Sequence, residues 1–176
     1  MNYMKTIFFN ISIFLIISVL AISCKKILDT PAKSAMDESV IFSTPGLAKD
    51  AIPGVIQSFA ETNSYRGRYL VFYGINTDCE VNNSLKAVTD EKSLLSNYNT
   101  NVNNSQMNTS NNAWAKFYEG IERANLAIRG IRTYGNPNNA ELNQILGEML
   151  TLRAVIYNDL LKAWGDVPAR FEPVNS

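Results

Sequence analysis

The sequence of 176 residues predicts an all-α protein of tetratricopeptide-like helical hairpins with a long Asn-rich loop insertion. Three observations predict it. Trp114, Phe117, Ile121, Ala124, Ile128 and Ile131 recur at alternating spacings of three and four, which is one face of a helix. Leu142, Ile145, Met149, Leu152, Ile156 and Leu160 form a second such stripe after a short link containing Gly135 and Pro137. Between residues 63 and 112 the periodicity weakens, and Asn, Ser, Thr and Tyr dominate.

The chain opens with Lys5 and an apolar run from Ile7 to Ile22 interrupted only by Asn10, Ser12 and Ser18. That run is too short for a comfortable membrane span and reads as an export signal. It ends in Ala21-Ile22-Ser23-Cys24, an order similar to a bacterial lipobox. Residues 1–23 are then a signal peptide, Cys24 carries a lipid, and 24–45 are a lipidated anchor segment. Acyl chains at about 0.8 kcal/mol per buried methylene anchor a protein without spanning the membrane. Cys79 is the remaining thiol, expected as a small buried residue without a disulfide framework.

Residues 46–176 form the expected helical domain. Lys25 to Ser39 should run extended over its surface, and Ser43-Thr44-Pro45 is a helix start, with a hydroxyl ahead of a proline at the first helical position. Leu47, Ala51, Ile52, Val55, Ile56 and Phe59 give the next helix an apolar face, which Pro53 should kink. From Asn63 to Asn112 a loop is expected, because asparagine favours turns and local backbone bonding. Asn makes up eight of the 16 residues from Asn97 to Asn112. A short strand or helix is expected near Tyr69 to Ile75. The two long helices, ending near Gly135 and Gly165, are linked too briefly to be anything but antiparallel. A single hairpin of this kind exposes apolar surface that neighbouring repeats normally cover.

Four blocks carry a family resemblance: Cys24-Lys25-Lys26 with Leu28-Asp29; Trp114-Ala115-Lys116-Phe117-Tyr118 with Ile121 and Ala124-Asn125; Gly147-Glu148-Met149-Leu150-Thr151-Leu152-Arg153-Ala154; and Trp164-Gly165-Asp166-Val167-Pro168. In these the sequence resembles the N-terminal part of the SusD/RagB family of surface glycan-binding lipoproteins, with Met149 where alanine is usual. The resemblance implies a lipid-anchored outer-membrane protein on the cell surface. Such a protein captures an oligosaccharide or polysaccharide and passes it to a SusC-like TonB-dependent transporter. It also implies an incomplete member, since the family's proteins are much longer.

The residue inventory narrows the chemistry. With 16 basic and 16 acidic side chains and no histidine, the chain offers neither a Ser-His-Asp triad nor the usual zinc sites, and it lacks the basic excess of a nucleic-acid binder. No phosphate loop or nucleophile elbow is present, so no cofactor, metal or catalytic residue is expected. Asp78 with Glu80, and Asp90 with Glu91, are adjacent acids in a polar stretch and read as solvated. Glu148 and Arg153 are five residues apart, about 140° around a helix, so they cannot act as a pair. Arg153 is expected to meet a carboxylate such as Glu122. Trp114 and Tyr118 belong to the helix seam, while Gly165, Asp166 and Pro168 form a corner of the fold. Tyr65, Arg66, Tyr69 and Tyr73 are the candidates for sugar contact, because flat aromatic rings suit pyranose faces. The alternative is a structural or assembly lipoprotein whose hairpin binds protein only.

Overall fold

Helix α6, Ala113–Tyr134, is the axis of the fold, and α7, Ala140–Trp164, returns antiparallel along it. The computed structural model describes residues 36–61, 65–73, 90–97, 99–101, 103–108 and 112–174. Cys24, Cys79, Asp78, Glu80 and the signal segment lie outside them. Among the described residues there is no strand. Asn139 caps α7 by accepting from the Leu142 backbone N–H at 3.1 Å, and Gly135 ends α6 with its N–H on the Ile131 carbonyl at 2.8 Å. The expected stripes are largely inside: Phe117, Ile121, Ala124, Ile128 and Ile131 on α6, and Leu142, Ile145, Met149, Ile156 and Leu160 on α7, are buried, while Trp114 and Leu152 are partly buried against them. Burial of that apolar surface, at about 25 cal/mol per Å², holds the hairpin closed.

Helix α6 is further covered by α1 (Glu38–Ser43) and α3 (Ala51–Ala60), while α2 (Pro45–Lys49) lies against α7. The compact unit therefore starts at Asp37, earlier than the expected boundary at 46. Residues 38 and 39, expected to be extended, are helical, because Asp37 caps α1 by accepting from the Ser39 N–H at 2.8 Å. Hydrogen bonding from Ser39, first from its side chain and then from its backbone N–H, holds the Asp37 carboxyl below its ordinary pKa. Thr44 precedes α2 with Pro45 in the first turn, as expected, but its side chain makes no capping bond. The helix break falls at Asp50, ahead of Pro53. Proline lacks the N–H that would bond the carbonyl four residues back, at Lys49, and its ring crowds that carbonyl.

Two glycines on α6 set how closely these helices approach. A Cβ at Gly130 would overlap the buried Phe42 ring of α1, and one at Gly120 would overlap Ser58 of α3. Ser58 is nearly inaccessible, and its hydroxyl is satisfied by the Val55 carbonyl at 2.6 Å.

The expected loop from 63 to 112 is in part helical. Tyr65–Tyr73 forms a π-helical run, followed by α4 (Glu91–Ser96) and α5 (Ser105–Asn108). The asparagine-rich composition hid these elements because each is short and held by tertiary burial: Tyr69, Leu95 and Met107 each enter the core. Asp90 caps α4 through the Ser93 N–H at 3.3 Å, and Glu91 accepts from the Ser105 hydroxyl.

Candidate functional site

Beyond α7 the backbone turns at Gly165, whose φ of 73° and ψ of −129° fall in a region that only glycine adopts without strain. The chain from Val167 to Val174 then runs back across the hairpin, held by polar side chains of α6 and α7. Asn125, only 1% exposed, donates from Nδ2 to the carbonyls of Arg170 (3.1 Å) and Glu172 (3.2 Å). Its Oδ1 accepts from Arg153 Nη1 at 2.7 Å, so every polar atom of this buried amide is used. Arg153 also donates to the Phe171 carbonyl at 3.0 Å, and its guanidinium lies 5.1 Å from the Phe171 ring centre. Tyr157 donates to the Arg170 carbonyl at 2.8 Å and accepts from the Arg170 N–H at 2.6 Å. Tyr118 donates to the Pro168 carbonyl at 2.8 Å.

Arg153 therefore does not pair with Glu122, contrary to the expectation. The Glu122 carboxylate accepts from the Val174 N–H at 2.9 Å, and the carbonyls of the returning segment together with Asn125 take the guanidinium instead. Desolvation, followed by repulsion from Arg132, lowers the Arg153 pKa from its ordinary value. Desolvation raises that of Tyr118. Asn125, Arg153, Tyr118 and Pro168, quoted above as motif residues, thus converge on one job: docking the segment after the Gly165 turn. Asp166 is exposed at that turn. Glu148 faces a different groove, with Ile52, Ile56, Gln144, Gly147, Thr151 and Leu152, and accepts from Gln144 Nε2 at 3.0 Å. It is not joined to Arg153, in keeping with the helical geometry.

A hollow of about 180 Å³ opens where the asparagine-rich stretch meets the end of α7. Leu95, Met107, Ala163 and Trp164 give it apolar walls, and Thr100, Asn101 and Asn104 give it polar ones. Trp164 is fixed edge-to-face against Trp114, with ring centres 5.3 Å apart, and against Phe117 at 6.2 Å. Trp114 in turn packs on Tyr118 at 5.0 Å, so these aromatic residues form the expected seam. Asn104 ties the polar wall together. Its Nδ2 donates to the Glu91 carbonyl (3.0 Å) and to Thr100 Oγ1 (2.9 Å), and its Oδ1 accepts from the Gln106 N–H (2.9 Å).

Of the four residues expected at a sugar, Arg66 and Tyr69 do not line this hollow, and the side chains of Tyr65 and Tyr73 lie outside the described residues. Tyr69 is 6% exposed, its ring edge-to-face with Phe117 at 5.4 Å and its hydroxyl donating to the Asp159 carbonyl at 3.3 Å. It is a core residue, because the π-helical run turns it inward onto the hairpin. Tyr65 and Tyr73 end that run, and Arg66 is exposed on it. The hollow's own residues were missed. Their signal was present in part, as amide-rich composition beside an aromatic residue preceding a glycine stop, but no spacing rule joins residues 100–104 to residue 164. Among the described residues there is no group of side chains able to hold a metal and no helix long and apolar enough to cross a membrane.

The chain is similar to two curated relatives from Formosa agariphila. It is 33% identical to SusD-like protein P38 over 165 residues, which is 92% of this chain and 30% of that protein. It is 26% identical to SusD-like protein P25 over 175 residues, which is 94% of this chain and 32% of that protein. The chain thus spans about a third of the length of these relatives. No solved structure matches it. Residues 28–175 match the SusD-like family described as starch-binding and associating with the outer membrane, and the chain belongs to that family.

Proposed function

We propose that this chain is part of a lipid-anchored outer-membrane protein on the cell surface that binds glycan and hands it, chemically unaltered, to a SusC-like TonB-dependent transporter. The observation that carries the reading is the hollow at Trp164, where a fixed aromatic residue faces neutral amide and hydroxyl groups. Sugars present apolar C–H faces and hydroxyl edges, and amides both donate to and accept from hydroxyls. The family to which the chain belongs supports the same class of ligand. Cys24 supplies the anchor in this reading, and the transporter is the membrane partner.

The alternative, an assembly lipoprotein that binds only protein, draws on a different feature. An apolar groove of about 460 Å³ lies between α7 and the returning segment, lined by Leu150, Ala154, Tyr157, Leu161, Val167 and Phe171. Equilibrium dialysis and affinity electrophoresis of the chain against a panel of polysaccharides separate the two readings. Retardation by at least one polysaccharide is expected, and binding to none favours the alternative. Metabolic labelling with a radioactive fatty acid, lost in Cys24→Ala, tests the anchor, and co-purification with a barrel protein from outer membranes tests the partner.

A further inference from the structure

We infer that the hollow beside Trp164 takes a single uncharged pyranose unit and rejects uronate and sulfated sugars; this deepens the glycan reading and rests on it. The lining consists of Leu95, Thr100, Asn101, Asn104, Met107, Ala163 and Trp164, with no ionisable side chain among the described residues. At about 180 Å³ the hollow is well below the ~300–1,000 Å³ of pockets that enclose drug-sized ligands, so it holds one ring with the rest of the chain in solvent.

The division of labour among the polar residues follows from their bonds. Asn104 is 4% exposed and spends its amide on Glu91, Thr100 and Gln106, which makes it the frame of the wall. Thr100 and Asn101 are exposed at the rim. Asn101 Oδ1 accepts from the Asn103 N–H at 2.9 Å, while its Nδ2 has no partner among the described residues and is free to donate to a sugar hydroxyl.

Among the described residues, no side chain lining the hollow offers an anionic sugar a counter-charge. The described cations on the surrounding elements are engaged: Arg68 donates to Gln106, Lys162 lies 3.7 Å from Asp159, and Lys92 and Arg66 have interactions of their own. Glu91, behind Asn104, accepts from Ser105 and adds negative potential. A carboxylate or sulfate entering the hollow would lose water without gaining a cation, the arrangement that makes burial of charge unfavourable. A neutral ring loses only hydroxyl hydration, which amides replace.

The test measures binding of the full chain by calorimetry to neutral gluco-, manno- and galacto-oligosaccharides, each beside its C6-carboxylate derivative. A neutral ligand is expected to bind with its oxidised partner weaker by about tenfold or more. Trp164→Ala would disturb the packing on Trp114 and Phe117, so the informative variant is Asn101→Asp. It keeps the acceptor for Asn103 and replaces the rim donor with an anion. The neutral ligand should weaken about fivefold with an unchanged melting temperature. Equal or better binding of the oxidised partner overturns the inference and leaves the glycan reading standing. Selective neutral binding that Asn101→Asp leaves untouched puts the site elsewhere and also overturns it. Binding of no oligosaccharide removes the glycan reading and the inference with it.

Discussion

Removing the Asn125 amide should release the segment that follows the Gly165 turn. Asn125→Ala deletes two bonds to main-chain carbonyls and one to the Arg153 guanidinium. At about 1 kcal/mol for each neutral bond and about 1.5–3 kcal/mol for the charged one, the gross loss is about 3.5–5 kcal/mol. Arg170 and Glu172 are exposed, so water replaces part of what their carbonyls lose, and Arg153 keeps the Phe171 carbonyl. The expected net loss is about 3 kcal/mol, or about 10 °C in melting temperature for a unit of this size. Urea unfolding followed by tryptophan fluorescence gives the energy. Trypsin cleavage after Arg170, which the clamp holds on both its N–H and its carbonyl, gives the location. Asn125→Asp separates the two halves of the interaction. It preserves the acceptor for Arg153 but sets an anionic oxygen against the carbonyls of Arg170 and Glu172, so cleavage should still accelerate. Loss of less than about 0.5 kcal/mol in Asn125→Ala, together with an unchanged cleavage rate, would refute the clamp.

Gly130→Ala should cost about 1–3 kcal/mol by urea unfolding, because its Cβ displaces the Phe42 ring, and a smaller residue at Phe42 should recover part of that loss. Gly165→Ala should cost about 1–3 kcal/mol for a different reason: nothing lies near its Cβ, and the whole effect is the positive φ, so no second-site change in packing should rescue it. Tyr118 has a folded pKa raised above its ordinary value of 10.0, so its contribution to stability is complete below that pH and declines as pH rises through the folded value. Tyr118→Phe should therefore show a shallower alkaline loss of melting temperature than the parent chain; identical curves would remove Tyr118 from the account. Val155, Leu161, Phe171 and Val174 are each about half exposed, so the chain should self-associate at high concentration, and a monodisperse monomer by light scattering would contradict this.

The two long helices were legible because their signal is local: stripes at helical spacing, an asparagine cap and a glycine stop need no knowledge of the rest of the chain. The quoted motif blocks likewise placed Asn125, Arg153 and the Gly165 turn in one family pattern. The segments around 65–73 and 91–108 were not legible, since their helical turns exist by burying Tyr69, Leu95 and Met107 against partners distant in sequence. The burial of Tyr69 was not legible for the same reason, because a tyrosine near a polar stretch reads alike whether its ring faces solvent or Phe117. The sequence by itself determined the α-helical class, the antiparallel hairpin and the absence of histidine chemistry. Only the tertiary structure decided that Arg153 meets Asn125 and Phe171 rather than Glu122, and that Trp164 shares a hollow with Asn101. Long-range pairing depends on which backbone groups are left unsatisfied once the helices have packed, and residue spacing does not encode that.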